Sequence, residues 1–153
     1  MINPSLNINI ILLYILNYIM INNPIIDERY INGVIYCIYS KSSKLIYIGS
    51  TIQGVKTRLI KHKTDMNGFL GLLPKPRHYR SSFEVLICDD YEIIELEKYN
   101  CNNKNELERR EALWILKLSK DFNVVNKLMP ATISMNDFDF VNTNLTIPEV
   151  LVF

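Results

Sequence analysis

The stretch Gly33-Val34-Ile35-Tyr36-Cys37-Ile38-Tyr39-Ser40-Lys41-Ser42-Ser43-Lys44-Leu45-Ile46-Tyr47-Ile48-Gly49 decides how this chain is read. Its opening run is rich in β-branched and aromatic residues, Ser40 to Lys44 is polar, and Leu45 to Gly49 is apolar again. That succession predicts two antiparallel strands joined by a turn. Side chains alternate across a strand, so Val34, Tyr36 and Ile38 share one face of the first strand, and Leu45, Tyr47 and Gly49 share one face of the second. The hairpin therefore sets two tyrosines, Tyr36 and Tyr47, with a shared facing.

Downstream, Thr51 to Met66 has helical spacing, with Arg58 and His62 four residues apart on one face beside Val55 and Leu59. Asn67 to Arg80 is a loop, broken by Gly68, Gly71, Pro74 and Pro76, which ends in the basic and aromatic run Lys75-Pro-Arg-His-Tyr-Arg80. Ser81 or Ser82 is placed to cap a short helix over Phe83 to Ile87, and Tyr91 to Tyr99 reads as a third strand. A last helix is expected from Lys104 to Ser119, with Asn103 and Glu106 spaced as a capping box. The fold class is thus α/β, a small three-stranded antiparallel sheet flanked by helices. In the last helix Leu107, Trp114, Ile115 and Leu118 form an apolar stripe, and Glu111 lies on it. A carboxylate seldom faces a core without a cation, a metal or a hydrogen-bond partner. Glu111 is therefore either an edge residue paired with Arg58 or a ligand.

A chain of 153 residues accommodates one domain and leaves no room for a second full one. Cys37, Cys88 and Cys101 are odd in number and widely spaced, with no CxxC or Cys/His pattern, so they read as small buried hydrophobes. An intracellular, reducing compartment is expected, not secretion. The first 26 residues carry no charge, and Ile8 to Ile21 is apolar except for Asn9 and Asn17. This run is shorter than the roughly 20 residues a spanning helix needs, and it lacks a basic leader and a cleavage site. Residues 1–30 are read as an extension outside the core, or as the product of an upstream start codon with initiation at Met20. Membrane attachment through residues 8–21 is the weaker alternative. The domain is placed at residues 31–130, and residues 131–153 are left as an ill-ordered acidic tail carrying Asp137, Asp139 and Glu149. Between Gly33 and Arg80 stand nine basic residues, Lys61, Lys75, Arg77 and Arg80 among them, against the single acid Asp65, a balance of +8. Such an asymmetry suits a polyanionic partner.

Read together, these pieces resemble the GIY-YIG nuclease superfamily. Gly33-Val-Ile-Tyr36 stands where that family has its first motif, with one residue inserted after the glycine, and Tyr47-Ile-Gly49 is the second motif intact. Arg58 matches the family arginine, His62 the polar residue one turn later, Glu111 the metal-binding glutamate, and Asn126 the asparagine that closes the site. The resemblance covers about Ile31 to Pro130. Either tyrosine motif alone is weak, whereas six matched positions in order are specific. It implies a metal-dependent endonuclease with Mg²⁺ or Mn²⁺ on Glu111, Arg58 on the non-bridging phosphate oxygens, and Tyr36 or Tyr47 as general base. Asn126 would orient a phosphate oxygen or a tyrosine hydroxyl, and Gly49 would let the backbone turn where a side chain would intrude. Nucleic acid, DNA first, is the implied partner, contacted by Lys61, Lys75, Arg77 and Arg80. No added recognition domain is visible, and the oligomeric state is not readable. The rival reading is a nucleic-acid-binding module on the same fold that has lost cleavage.

Overall fold

The computed structural model describes residues 10–15, 26–134, 136–137, 141 and 145–152. The hairpin forms as its pattern requires: β1 (Val34–Ser40) pairs antiparallel with β2 (Leu45–Thr51), setting Tyr36 opposite Gly49, Ile38 opposite Tyr47 and Ser40 opposite Leu45. The turn closes through Lys44 at φ 57° and is held by Asp90, whose carboxylate accepts from Ser40 Oγ (2.6 Å), Ser42 N (2.8 Å) and Ser42 Oγ (2.9 Å).

Between the hairpin and Leu118 the described residues form three α-helices: α1 (Val55–Phe69), α2 (Phe83–Leu86) and α3 (Lys104–Leu118). α1 begins later than its periodicity suggested, because Thr51 still pairs with Val34 at the end of β2. The side-chain cap expected from Ser81 or Ser82 on α2 is not made. Half of the capping box of α3 is made as expected, Asn103 Oδ1 accepting from Glu106 N (3.0 Å), while the Glu106 carboxylate reaches back one residue further, to the N–H of Asn102 (3.0 Å).

β3 (Glu92–Lys98) lies antiparallel on the other side of β1, and a two-residue strand, β4 (Asn123–Val124), runs parallel to β2. The sheet is therefore four-stranded and mixed, in the order β3-β1-β2-β4, rather than three-stranded and antiparallel. Two residues are too few to show an alternating pattern, so β4 was invisible to periodicity.

β1 is central and buried on both faces. One core joins Ile35, Cys37, Tyr39, Ile46 and Ile48 to Leu107, Leu113, Trp114, Ile115 and Leu118 of α3. The opposite core joins Tyr36 and Ile38 to Phe83, Val85 and Leu86, with Tyr47, Val55, Leu59 and Met66 packed against them. α3 is tied to β3 by a two-bond fork from Arg110 to Glu97 (2.7 and 2.8 Å), and the Trp114 indole donates to the same carboxylate (2.8 Å).

The expectation of an ill-ordered segment after Pro130 is corrected for the described residues there. Val141, Leu145 and Leu151 are buried in the α3 core, and Asp137 accepts from Arg109 (2.7 Å), Ser134 N (2.7 Å) and Ser134 Oγ (2.6 Å). Val141 and Leu145 are one helical turn apart but make only a pair, and Leu151 stands six residues further on, so no sustained stripe marks them in the sequence. Asp139 lies outside the described residues. Residues 10–15 are helical and exposed, the remainder of the apolar run 8–21 lies outside the described residues, and no helix among them is long and apolar enough to cross a membrane. All three cysteines are free; Cys37 and Cys101 are buried and Cys88 partly so.

Candidate active site

The two hairpin tyrosines share a face but not an environment. Tyr36 is wholly buried, and its ring lies over Gly49: a Cβ there would stand 2.4 Å from the Tyr36 hydroxyl and 2.6 Å from Cζ. Gly49 therefore stands, as expected, where a side chain would intrude, but it sits within β2 instead of turning the backbone and leaves the space the Tyr36 phenol occupies. Tyr47, two pairs further along the ladder, is only partly buried and reaches the surface.

α1 supplies what surrounds Tyr36. Arg58 Nε donates to its hydroxyl (3.1 Å), and the same oxygen is 2.6 Å from His62 Nε2, while His62 Nδ1 is 2.9 Å from Ser82 Oγ. Burial first, then the charges of Arg58, Arg80 and Lys61, push the His62 imidazole from 6.5 down to about 3, so it is neutral in physiological conditions. A neutral imidazole has one N–H, so one of its two hydroxyl neighbours accepts and the other donates. Burial pushes Tyr36 far above the usual phenol range, against the opposing pull of Arg58. Tyr36 is a phenol that keeps its proton.

Tyr47 borders two adjoining pockets. One, of about 390 Å³, is lined by Tyr47, Ser50, Arg58, Lys61, Glu108 and Glu111 among others. The second, of about 580 Å³, is lined by Tyr47, Arg80, Glu108, Glu111 and Asn126 among others. Tyr47 and Ser50 project from opposite faces of β2, so the site straddles the edge of that strand. There Arg58 from one helical layer and Glu111 from the other line the same pocket.

Glu111 does not pair with Arg58 in an ion pair; its Oε2 accepts from Ser50 Oγ at 2.6 Å. Burial raises its carboxyl above the usual range, and the Ser50 hydrogen bond and Arg58 oppose that rise. Tyr47 is also raised, by burial and then by the Glu111 charge, with Arg58, Arg80 and the Tyr36 hydroxyl pulling it back.

Asn126 has a different task from the one expected of it. Its side-chain amide accepts from Ile48 N (2.9 Å) and donates to Ile48 O (2.8 Å), so the side chain continues β4 as a strand residue would and leaves β2 open only beyond it, at Ser50. A primary amide presents the same donor and acceptor as a peptide group, which is why it fits here.

The sequence of this chain matches the GIY-YIG catalytic domain over residues 32–124, well over half its length. The chain belongs to the GIY-YIG family. Comparison with curated proteins and with solved structures finds no match. In this GIY-YIG domain the structure brings five of the six motif residues into two connected groups, Tyr36 with Arg58 and His62 inside, and Tyr47 with Arg58 and Glu111 at the pocket. Asn126 stands at its rim. Of the basic residues, Lys61 lines the first pocket and Arg80 the second, whereas Lys75 and Arg77 lie on the exposed loop beyond them. Ser50 and Ser82 were missed from sequence. Ser50 directly follows the second motif, but a single serine carries no signal until its partner is placed.

Among the described residues no group of three or more His, Cys, Asp and Glu could hold a metal. A divalent ion at Glu111 would thus have at most two carboxylates, Glu111 and Glu108, which lines the same pockets, and otherwise water. That donor set fits Mg²⁺, which keeps several waters and takes few protein carboxylates, and the partly buried Glu111 beside an open pocket leaves room for them.

Proposed function

We propose that this GIY-YIG protein is a metal-dependent endonuclease that hydrolyses phosphodiester bonds in nucleic acid, DNA in the first instance. The observation that carries the reading is the convergence of Tyr47, Arg58 and Glu111 on one open pocket. In hydrolysis the oxygen of an attacking water bonds to phosphorus as the bond to the leaving oxygen breaks, and negative charge grows on the non-bridging and leaving oxygens. Arg58, planar and always charged, faces the pocket and serves the non-bridging oxygens. Tyr47, the tyrosine that reaches solvent, first gives up its own proton to solvent and as phenolate takes the proton of the attacking water; Tyr36, sealed behind Gly49, holds Arg58 and His62 in place and touches no substrate. A divalent ion held by Glu111, when bound, supplies positive charge for the leaving oxygen and offsets the carboxylate charge that otherwise raises Tyr47. Ser50 orients the Glu111 carboxylate.

The test is nicking of supercoiled plasmid with and without Mg²⁺ by the whole chain and by Glu111→Gln and Glu111→Ala, with melting temperatures measured on the same preparations. Both variants should lose cleavage while retaining metal-free DNA binding. Their stability should be unchanged or higher, since a partly buried carboxylate without a cation costs desolvation. A variant that melts lower yet still nicks would defeat the assignment of Glu111. Tight DNA binding by the unaltered protein with no nicking under any divalent ion would favour the binding-module reading.

A further inference from the structure

Asp65 is the only acid between Gly33 and Arg80, and it sits in the middle of the basic stretch. On charge alone it should weaken attraction to a polyanion. Its placement points the other way. The Asp65 side chain projects from α1 and is 7% exposed; Oδ2 lies 3.1 Å from Arg80 Nε and Oδ1 3.5 Å from Arg77 Nε, so each oxygen faces one arginine. Both arginine side chains are about half exposed, at 50% and 53%, so their guanidiniums keep donors for a second acceptor.

The loop that carries the arginines is seated on α1 at two further points. A Cβ at Gly68 would stand 2.5 Å from Arg77 Cγ and 3.0 Å from the Lys75 carbonyl, so the loop lies directly on the helix backbone there. Tyr79 packs with Phe69 and Phe83, with ring centroids 5.9 Å apart in each pair. At the end of this loop Arg80 enters the pocket shared by Tyr47 and Glu111.

We infer that Asp65 is a positioning residue which holds Arg77 and Arg80 as a two-pronged clamp for nucleic-acid backbone phosphates beside the pocket. The inference rests on the nucleic-acid reading above. An isolated surface ion pair contributes little, but a nearly buried carboxylate shared by two arginines fixes two long side chains before a ligand arrives. That ordering is then not charged against binding. Each held guanidinium offers the planar donor array that phosphate accepts. The loss of favourable charge from one acid is set against two phosphate contacts made by prearranged cations.

The two accounts predict opposite signs. Binding of a short fluorescein-labelled DNA duplex to the whole chain, without divalent metal and across a salt series, is measured by anisotropy for the unaltered protein, Asp65→Asn and Asp65→Glu. Although Asp65→Asn adds a positive charge to the balance, it should bind about tenfold more weakly, with a salt slope smaller by about one per lost phosphate contact. Asp65→Glu, which keeps the charge but displaces the arginines by a methylene, should also weaken binding, and it carries the test alone if Asp65→Asn does not fold. In an Arg77→Ala/Arg80→Ala background Asp65→Asn should have no further effect. Trypsin should cut after Arg77 and Arg80 faster in Asp65→Asn, a readout independent of nucleic acid. Equal or tighter duplex binding by folded Asp65→Asn, in a chain that binds DNA, overturns the clamp and leaves the nuclease reading intact. Failure of the unaltered protein to bind overturns both.

Discussion

A phenol sealed behind Gly49 and a phenol at the mouth of a pocket have different consequences when each loses its oxygen. Tyr47→Phe keeps the ring against Tyr36 and His62 and removes the group assigned to the water. Cleavage should fall by on the order of 10²-fold with the melting temperature nearly unchanged. Tyr36→Phe removes the acceptor of Arg58 and the partner of His62 inside the core, so it should lower stability by about 1–3 kcal/mol as well as activity. A larger loss of cleavage in Tyr36→Phe than in Tyr47→Phe at equal stability would reverse the two roles. Because Tyr47 is raised above the usual phenol range, a base at that position should make the cleavage rate climb with pH throughout the neutral and mildly alkaline range. A rate independent of pH there would remove Tyr47 as the base. Gly49→Ala places a methyl against the buried Tyr36 ring, and overpacking of this kind costs about 1–3 kcal/mol. Thermal melting together with nicking checks it: a variant with normal stability and activity would show that the ring has room.

The hairpin is held at one end by a single carboxylate. Hydrogen bonds from Ser40 first, then from the Ser42 backbone and side chain, lower Asp90 from 3.8 to about 2. A group whose pKa is depressed on folding contributes stability that is present above its unfolded value and lost as pH falls through its folded one. Asp90→Asn should therefore melt lower than the unaltered chain at neutral pH, and the gap should close between about pH 4 and pH 2. Melting curves across that window test this, and a gap that persists at the acid end would mean that Asp90 acts by shape alone. At the other end of β2, Asn126 occupies the edge that β4 is too short to cover. The element that limits the pocket is thus completed by a side chain.

For the molecule as a whole, the two ends of the chain should behave differently. We propose that the domain starts close to Glu28. Among the described residues, a chain beginning there loses few contacts with the rest of the domain: the Asp27 N–H to Asn102 carbonyl bond at 2.8 Å and the bonds of Asp27 to Arg29 and Tyr30. It should unfold cooperatively and cleave normally. A chain ending at Pro130 loses Val141, Leu145 and Leu151 from the α3 core. Burying an aliphatic side chain is worth roughly 1.5–3 kcal/mol, so the three together represent a large part of the typical total of about 5–15 kcal/mol. That chain should lose cooperative thermal unfolding. If it melts like the full chain, the C-terminal residues are dispensable to the core that positions Glu111.

By itself the sequence determined the hairpin, the shared facing of Tyr36 and Tyr47, the pairing of Arg58 with His62 on one helical face, and the inward Glu111. Each of these follows from a local period, two for a strand and 3.6 for a helix, which neighbouring residues impose on one another. Tertiary structure alone decided that Tyr36 is sealed while Tyr47 is open, that Glu111 meets Ser50 and not Arg58, and that Asn126 serves as a strand residue. It also decided that Asp65 binds two arginines and that residues past Pro130 enter the core. These depend on contacts between segments far apart in the chain, where packing and burial, not local periodicity, select the partner.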